Sequence, residues 1–257
     1  MGGGGGGGVV DPLVLSYGDI ALRQSDVDLL AVDSREWLND AVISFAFEYL
    51  NNQHPSVECL HVSCTNMLAM IPRSSTEMQE GLSVAIRDVL TVGRSEKDQK
   101  QKLELVVAAV NNSMEPMLAE SGSHWSLLVY EASSQTFFFH FDSLPGSNER
   151  HARDLAKRLG DGALGQKKNW KFREAKTPMQ RNGHACGLYA ISIARHLCEQ
   201  YSSNSTLDRL GMEDCIQGIN DKICPKRVES LRGELLSLIR SMQCKEEEEG
   251  PKPAGKD

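Results

Sequence analysis

The sequence predicts an α+β domain. Apolar runs of strand length stand between polar breaks at residues 103–110, 124–130 and 137–141. Elsewhere apolar residues recur at helical spacing, as in 38–50 and again at Leu188, Ile191, Ala194 and the Leu197/Cys198 pair. The chain has 257 residues, 40% of them hydrophobic and 25% charged, enough to bury one substantial core. A single domain is expected over residues 11–243. Residues 1–10 are a Gly-rich tail with no side chains to bury, and 244–257 an acidic, proline-bearing one that repels itself; both are expected to be disordered.

The expected order begins with a helical N-terminal half that contains the helix at 38–50, followed by a strand at 103–110. Next come two runs, 124–130 and 137–142, whose short polar linker at 131–135 makes them an antiparallel hairpin. A helix at 149–159, a short strand near 170–174, a helix from Cys186 and further C-terminal helices complete it. If Tyr130 pairs with Thr136, the ladder carries His124 opposite Asp142. Their Cβ atoms would then lie about 4.5–5.5 Å apart on one face, within reach of a carboxylate-to-imidazole hydrogen bond. A bulge would turn them apart.

Cys186 stands between a glycine-bearing loop and an apolar helical pattern, so it lies at a helix mouth. Unpaired N–H groups and the positive dipole end favour negative charge there, which gives this cysteine a reason to be a thiolate. The plainer alternative is a buried structural cysteine. His124 and Asp142 likewise have ordinary readings, as a polar strand-start residue and a turn former ahead of Ser143-Leu144-Pro145-Gly146. Together the three supply what a cysteine protease needs: a sulfur nucleophile, an imidazole to hold and return a proton, and a carboxylate to orient the ring. Gln180 lies shortly before Cys186, where its carboxamide N–H can aim at a developing oxyanion alongside the Cys186 backbone N–H. Otherwise Gln180 is a solvated loop residue.

A net charge of −7 disfavours nucleic acid or an anionic membrane as partner and suits a partner with a basic face. Seven cysteines without paired spacing point to a reducing setting, cytoplasmic or nuclear, with no disulfides. His54, Cys59, His61 and Cys64 match no zinc pattern and read as a helix end and the following strand, so neither metal nor cofactor is expected. A monomer is expected.

Four blocks of sequence resemble the ubiquitin-like-protein-specific cysteine proteases, and within them the sentrin-specific branch that acts on the neddylation modifier. These are Asp11 to Tyr17 continuing to Leu22 to Val27; Trp37-Leu38-Asn39-Asp40 continuing to Phe45 to Tyr49; His124 to Tyr130 with Phe138 to Ser143; and Gln180 to Tyr189. The resemblance implies a papain-like fold, with a helical N-terminal half on a mixed central sheet and the nucleophile at a helix N-terminus. It implies that His124, Asp142 and Cys186 form the triad and that Gln180 is the oxyanion residue. Trp37 and Trp125 would wall a channel too narrow for anything but the modifier's C-terminal Gly-Gly, and Asp40 would contact its extended tail. The plain alternatives are a core tryptophan and a helix-start charge.

The implied activity is cleavage after that Gly-Gly, in precursors and in conjugates with lysine-bearing proteins. A SUMO-specific protease, an acyltransferase and a non-catalytic binding module for a ubiquitin-like protein stay open beside it. Two departures from the family pattern stand out. Ala185, preceded by His184, replaces an acidic residue just before the nucleophile, and residues 71–102 align poorly.

Overall fold

The chain opens on a two-stranded hairpin, β1 (Leu13–Tyr17) and β2 (Ile20–Arg23), ahead of the helices expected in this half. In the computed structural model, residues 10–72, 74–92, 103–113, 122–132, 137–165, 169–203 and 211–249 are described. The hairpin turns at Gly18, whose φ of 56° is a backbone conformation that favours glycine. Leu15, Ile20 and Leu22 are buried, so the hairpin lays one alternating face on the core.

Four helices and a strand follow: α1 (Gln24–Asp28), α2 (Asp40–Gln53), β3 (Val57–Cys59), α3 (Val62–Met70) and α4 (Thr76–Val92). Helix α2 starts at Asp40 because the Asn39 side chain accepts the Val42 N–H at 3.1 Å, filling one of the orphan donors of the first turn. Asn39 also donates through Nδ2 to Asp26 at 2.6 Å, which ties α2 to α1. Helix α4 occupies much of the stretch that aligned poorly.

The remaining strands are β4 (Leu105–Asn111), β5 (Trp125–Glu131), β6 (Phe137–Phe141) and β7 (Lys171–Glu174). With β3 they form one sheet in the order β3-β4-β5-β6-β7, whose two outer pairings are parallel and two inner ones antiparallel. The helices are α5 (Glu149–Arg158), α6 (Cys186–Ser203), α7 (Met212–Lys222) and α8 (Pro225–Glu249). Strands β4 and β5 are buried on both faces, which is why they read as near-continuous apolar runs. Leu105, Val107, Ala109, Leu127 and Val129 share a core with α2, α6 and α8. Val106, Ala108, Val110, Leu128 and Phe138 share the opposite core with α4 and α5.

Two expectations need correction. The hairpin register is displaced by two residues: Tyr130 pairs with Phe138 and Leu128 with His140, so His124 does not lie opposite Asp142. The expected register rested on linker length alone, which does not fix strand pairing, and its reference residue Thr136 lies outside the described residues. Second, α8 runs to Glu249 and does not stop at 243. Buried Leu231, Leu235 and Ile239 anchor it, and Gln243, Lys245 and the glutamates that follow are strong helix formers. Residues 1–9 and 250–257 of the expected tails lie outside the described residues.

His54 caps the end of α2, Cys59 lies in β3, and His61 caps the start of α3, accepting from Ser63 N–H. All seven cysteines are free thiols. Among the described residues no helix is long and apolar enough to cross a membrane.

Candidate active site

Cys186 is the first residue of α6 and is 2% exposed. The Asn182 side chain caps the approach: its Oδ1 accepts from His184 N at 3.2 Å and Ala185 N at 3.0 Å, ending one residue before the cysteine. Ala185 is itself buried. Behind Cys186, Gly187 packs so closely on Leu38, just ahead of α2, that an added Cβ would come within 3.1 Å of the Leu38 Cβ.

His124 sits immediately before β5 and Asp142 immediately after β6, at the same end of the sheet. Despite the displaced register they meet: His124 Nε2–H donates to Asp142 Oδ1 at 2.6 Å, with both side chains almost fully buried. The Cys186 side chain lies close enough to the ring to favour its charged form. Burial works against a charge on His124, but the hydrogen bond with Asp142 and the nearby Cys186 outweigh it and raise its pKa from 6.5 to about 9. Burial likewise raises the Asp142 pKa. The His124 hydrogen bond and the backbone N–H groups of Leu144 (2.9 Å) and Asn148 (3.1 Å) overcome that and hold it below its ordinary value.

Gln180 stands on the loop between β7 and α6, tied by its N–H to Ser143 O at 3.0 Å. Its Nε2 donates to Asn182 O at 2.7 Å, and its Oε1 accepts from Ser143 Oγ at 2.7 Å. Trp37 is 47% exposed, and its Nε1–H donates to Gly183 O in the loop before Cys186 at 2.6 Å. Trp125 is buried in the core and donates through Nε1 to Leu38 O at 2.9 Å. The Trp37 ring thus ties the segment before α2 to the loop before Cys186, and the Trp125 ring ties Leu38 to β5. Asp40 opens α2, in the first turn where the dipole favours a carboxylate.

Several residues that hold this site escaped the sequence reading. Asn148 is fully buried, and its Nδ2 lies 3.1 Å from Val110 O, 3.2 Å from His124 O and 3.0 Å from Ser126 Oγ. Ser126 continues to His140 Nε2 at 2.8 Å, and His140 Nδ1 to the Glu174 carboxylate at 2.8 Å. Asn112 Oδ1 accepts from the N–H groups of Ser123 (2.7 Å) and His124 (3.1 Å). From α8, buried Arg232 donates to Leu29 O and Glu36 O, holding the segment that leads to Trp37. Asn148 directly precedes a helix, a position where asparagine is read as a cap; its side chain instead faces back toward the hairpin.

A buried thiol beside an imidazole, which a carboxylate holds in turn, is the layout of a cysteine protease. The sequence matches the Ulp1 protease family, C-terminal catalytic domain, over residues 36–232, and the chain belongs to that family. It is 34% identical to human sentrin-specific protease 8 across 91% of this chain and 99% of that protein. It is 31% identical to Arabidopsis thaliana NEDD8-specific protease 1 across 90% of this chain and 94% of that one. Among solved structures, the SUMO protease Ulp1 with its catalytic cysteine oxidised to a sulfenic acid superposes with a TM-score of 0.58 at 19% identity, covering 89% of this chain and 88% of the other. The C-terminal Ulp1 protease domain in complex with Smt3, the yeast orthologue of SUMO, gives 0.56 at 20% identity, covering 92% and 90%. These structures share the fold, a mixed sheet between helices.

Proposed function

We propose that this cysteine protease cleaves after the C-terminal Gly-Gly of the neddylation modifier, both in its precursor and in conjugates with lysine-bearing proteins. The observation that carries the reading is the 2.6 Å bond between His124 Nε2 and Asp142 Oδ1, with Cys186 beside the same ring. Choice of modifier rests on the relatives named sentrin-specific protease 8 and NEDD8-specific protease 1, which align with more than nine-tenths of their own lengths.

In this reading the Cys186 thiolate attacks the carbonyl of the terminal glycine. The oxyanion that forms is met by the Gln180 carboxamide N–H not engaged with Asn182 and by the Cys186 backbone N–H. As the C–N bond breaks, imidazolium His124 gives its proton to the departing amine, and a thioester remains on Cys186. Water then attacks the thioester, His124 takes up its proton, and the thiolate and imidazolium are restored. Asp142 keeps the ring's Nε2 engaged so that Nδ1 faces the sulfur. Trp37 and Trp125 line the approach for the modifier's tail, and Asp40 contacts its extended part. A monomer in the cytoplasm or nucleus fits a free-thiol enzyme acting on such conjugates.

The test is release of a fluorogenic C-terminal amide from the neddylation modifier, SUMO and ubiquitin under identical conditions. The neddylation modifier should give the highest kcat/KM by roughly 10²-fold or more, a gap that takes about 3 kcal/mol of differential transition-state binding. Preference for SUMO or ubiquitin would overturn the modifier assignment while leaving the protease chemistry standing.

A further inference from the structure

We propose that Ser143 is a positioning residue that fixes the Gln180 carboxamide with Nε2 toward the reacting carbonyl. This rests on the reading of Gln180 as an oxyanion donor. A glutamine side chain has three rotatable torsions and an amide end that is nearly symmetric in shape, so a free one presents oxygen as readily as nitrogen. Oxygen turned toward a developing oxyanion would repel it.

Ser143 grips Gln180 at two points. Its carbonyl accepts the Gln180 N–H at 3.0 Å, and its hydroxyl donates to Gln180 Oε1 at 2.7 Å. The amide nitrogen gives one hydrogen to Asn182 O at 2.7 Å. Half a turn of the carboxamide would set Oε1 against that carbonyl oxygen, two acceptors face to face, and would exchange the hydroxyl's bond to Oε1 for an N–H donated to the serine oxygen. One orientation is therefore selected, and it leaves one N–H unspent. Ser143 is 2% exposed, so water does not compete for its hydroxyl.

The placement has a second consequence. Ser143 follows Asp142 directly, so one short turn carries both the carboxylate that holds His124 and the hydroxyl that holds Gln180. The proton donor and the oxyanion donor are thereby set by adjacent residues.

The experiment is a double-mutant cycle on single-turnover cleavage of a C-terminal amide of the neddylation modifier, using the full chain with Ser143→Ala, Gln180→Ala and both. Ser143→Ala should slow acylation roughly 3- to 10-fold, the range spanned by one net hydrogen bond, with KM changed less than about twofold. In the Gln180→Ala background the same substitution should have almost no further effect, because the group it positions is gone. An equal loss in both backgrounds, or no loss in the wild type, would overturn the proposal. An unchanged acylation rate in Gln180→Ala alone would instead bring down the oxyanion reading of Gln180, and this inference with it.

Discussion

His124 and Asp142 are joined by a 2.6 Å hydrogen bond although the hairpin does not pair them. The ladder runs from Tyr130–Phe138 to Leu127–Phe141, and continuing it sets Ser126, not His124, across from Asp142. A displacement of two residues preserves the alternation of faces, so the two side chains remain diagonal neighbours rather than being turned apart. Both residues also lie just past the strand ends, where Asn148 donates to the His124 carbonyl and to the Asp142 carboxylate.

Asp142→Asn should leave the fold intact and lower kcat by roughly 10²–10⁴-fold, since an amide neither stabilises the imidazolium nor enforces the ring's orientation. Steady-state kinetics on the modifier amide check it, with circular dichroism confirming that the variant is folded.

The pH profile follows from the same pair. The kcat/KM of the wild type should decline on the alkaline side near 9, where His124 loses its proton. In Asp142→Asn that limb should move to lower pH, because one of the hydrogen bonds that hold the charged ring is gone.

Stability depends on pH with a fixed sign. The folded-state pKa of His124 is raised, so its contribution is complete below about 6.5 and is lost as pH climbs toward 9. That of Asp142 is depressed, so its contribution is present above about 4 and is lost as pH falls through the lower folded value. Urea midpoints should therefore drop between pH 6 and pH 9.5, and drop less in His124→Ala.

Much of this arrangement was readable from the chain. Strands β4 to β6 and helix α6 announce themselves because burial on regular faces imposes regular apolar spacing. Cys186 was legible from its place at the start of such a spacing. The β1–β2 hairpin was missed because each strand is short and Gly18-Asp19 interrupts the pattern. Asn148, Ser143, Asn112 and Arg232 were missed for another reason. Each acts through hydrogen bonds to partners distant in sequence, and nothing local to a lone polar residue says which carbonyl the fold will bring to it. The register was misjudged because linker length alone does not say which residues of β5 and β6 face each other.

Asn148→Ala should destabilise the protein by about 2–3 kcal/mol, since buried acceptors at Val110, His124 and Ser126 lose their donor together. Urea denaturation measures it. A loss under about 0.5 kcal/mol would show that the hub holds nothing.

Trp37→Ala should raise KM roughly 10- to 30-fold, the effect of truncating a well-placed tryptophan at an interface, with little change in melting temperature because the ring is half exposed. Kinetics and a thermal melt on one preparation separate the two effects.

The claim on which the rest depends is that Cys186 is the nucleophile. Accessibility alone favours other thiols: Cys186 is buried, whereas Cys224 and Cys244 are exposed. The direct measurement is to incubate the protein with a neddylation modifier bearing a C-terminal electrophile and map the adduct by peptide mass spectrometry. One adduct on Cys186, absent from Cys186→Ala, is the predicted result; labelling of a different cysteine, or cleavage that persists in Cys186→Ala, would contradict it.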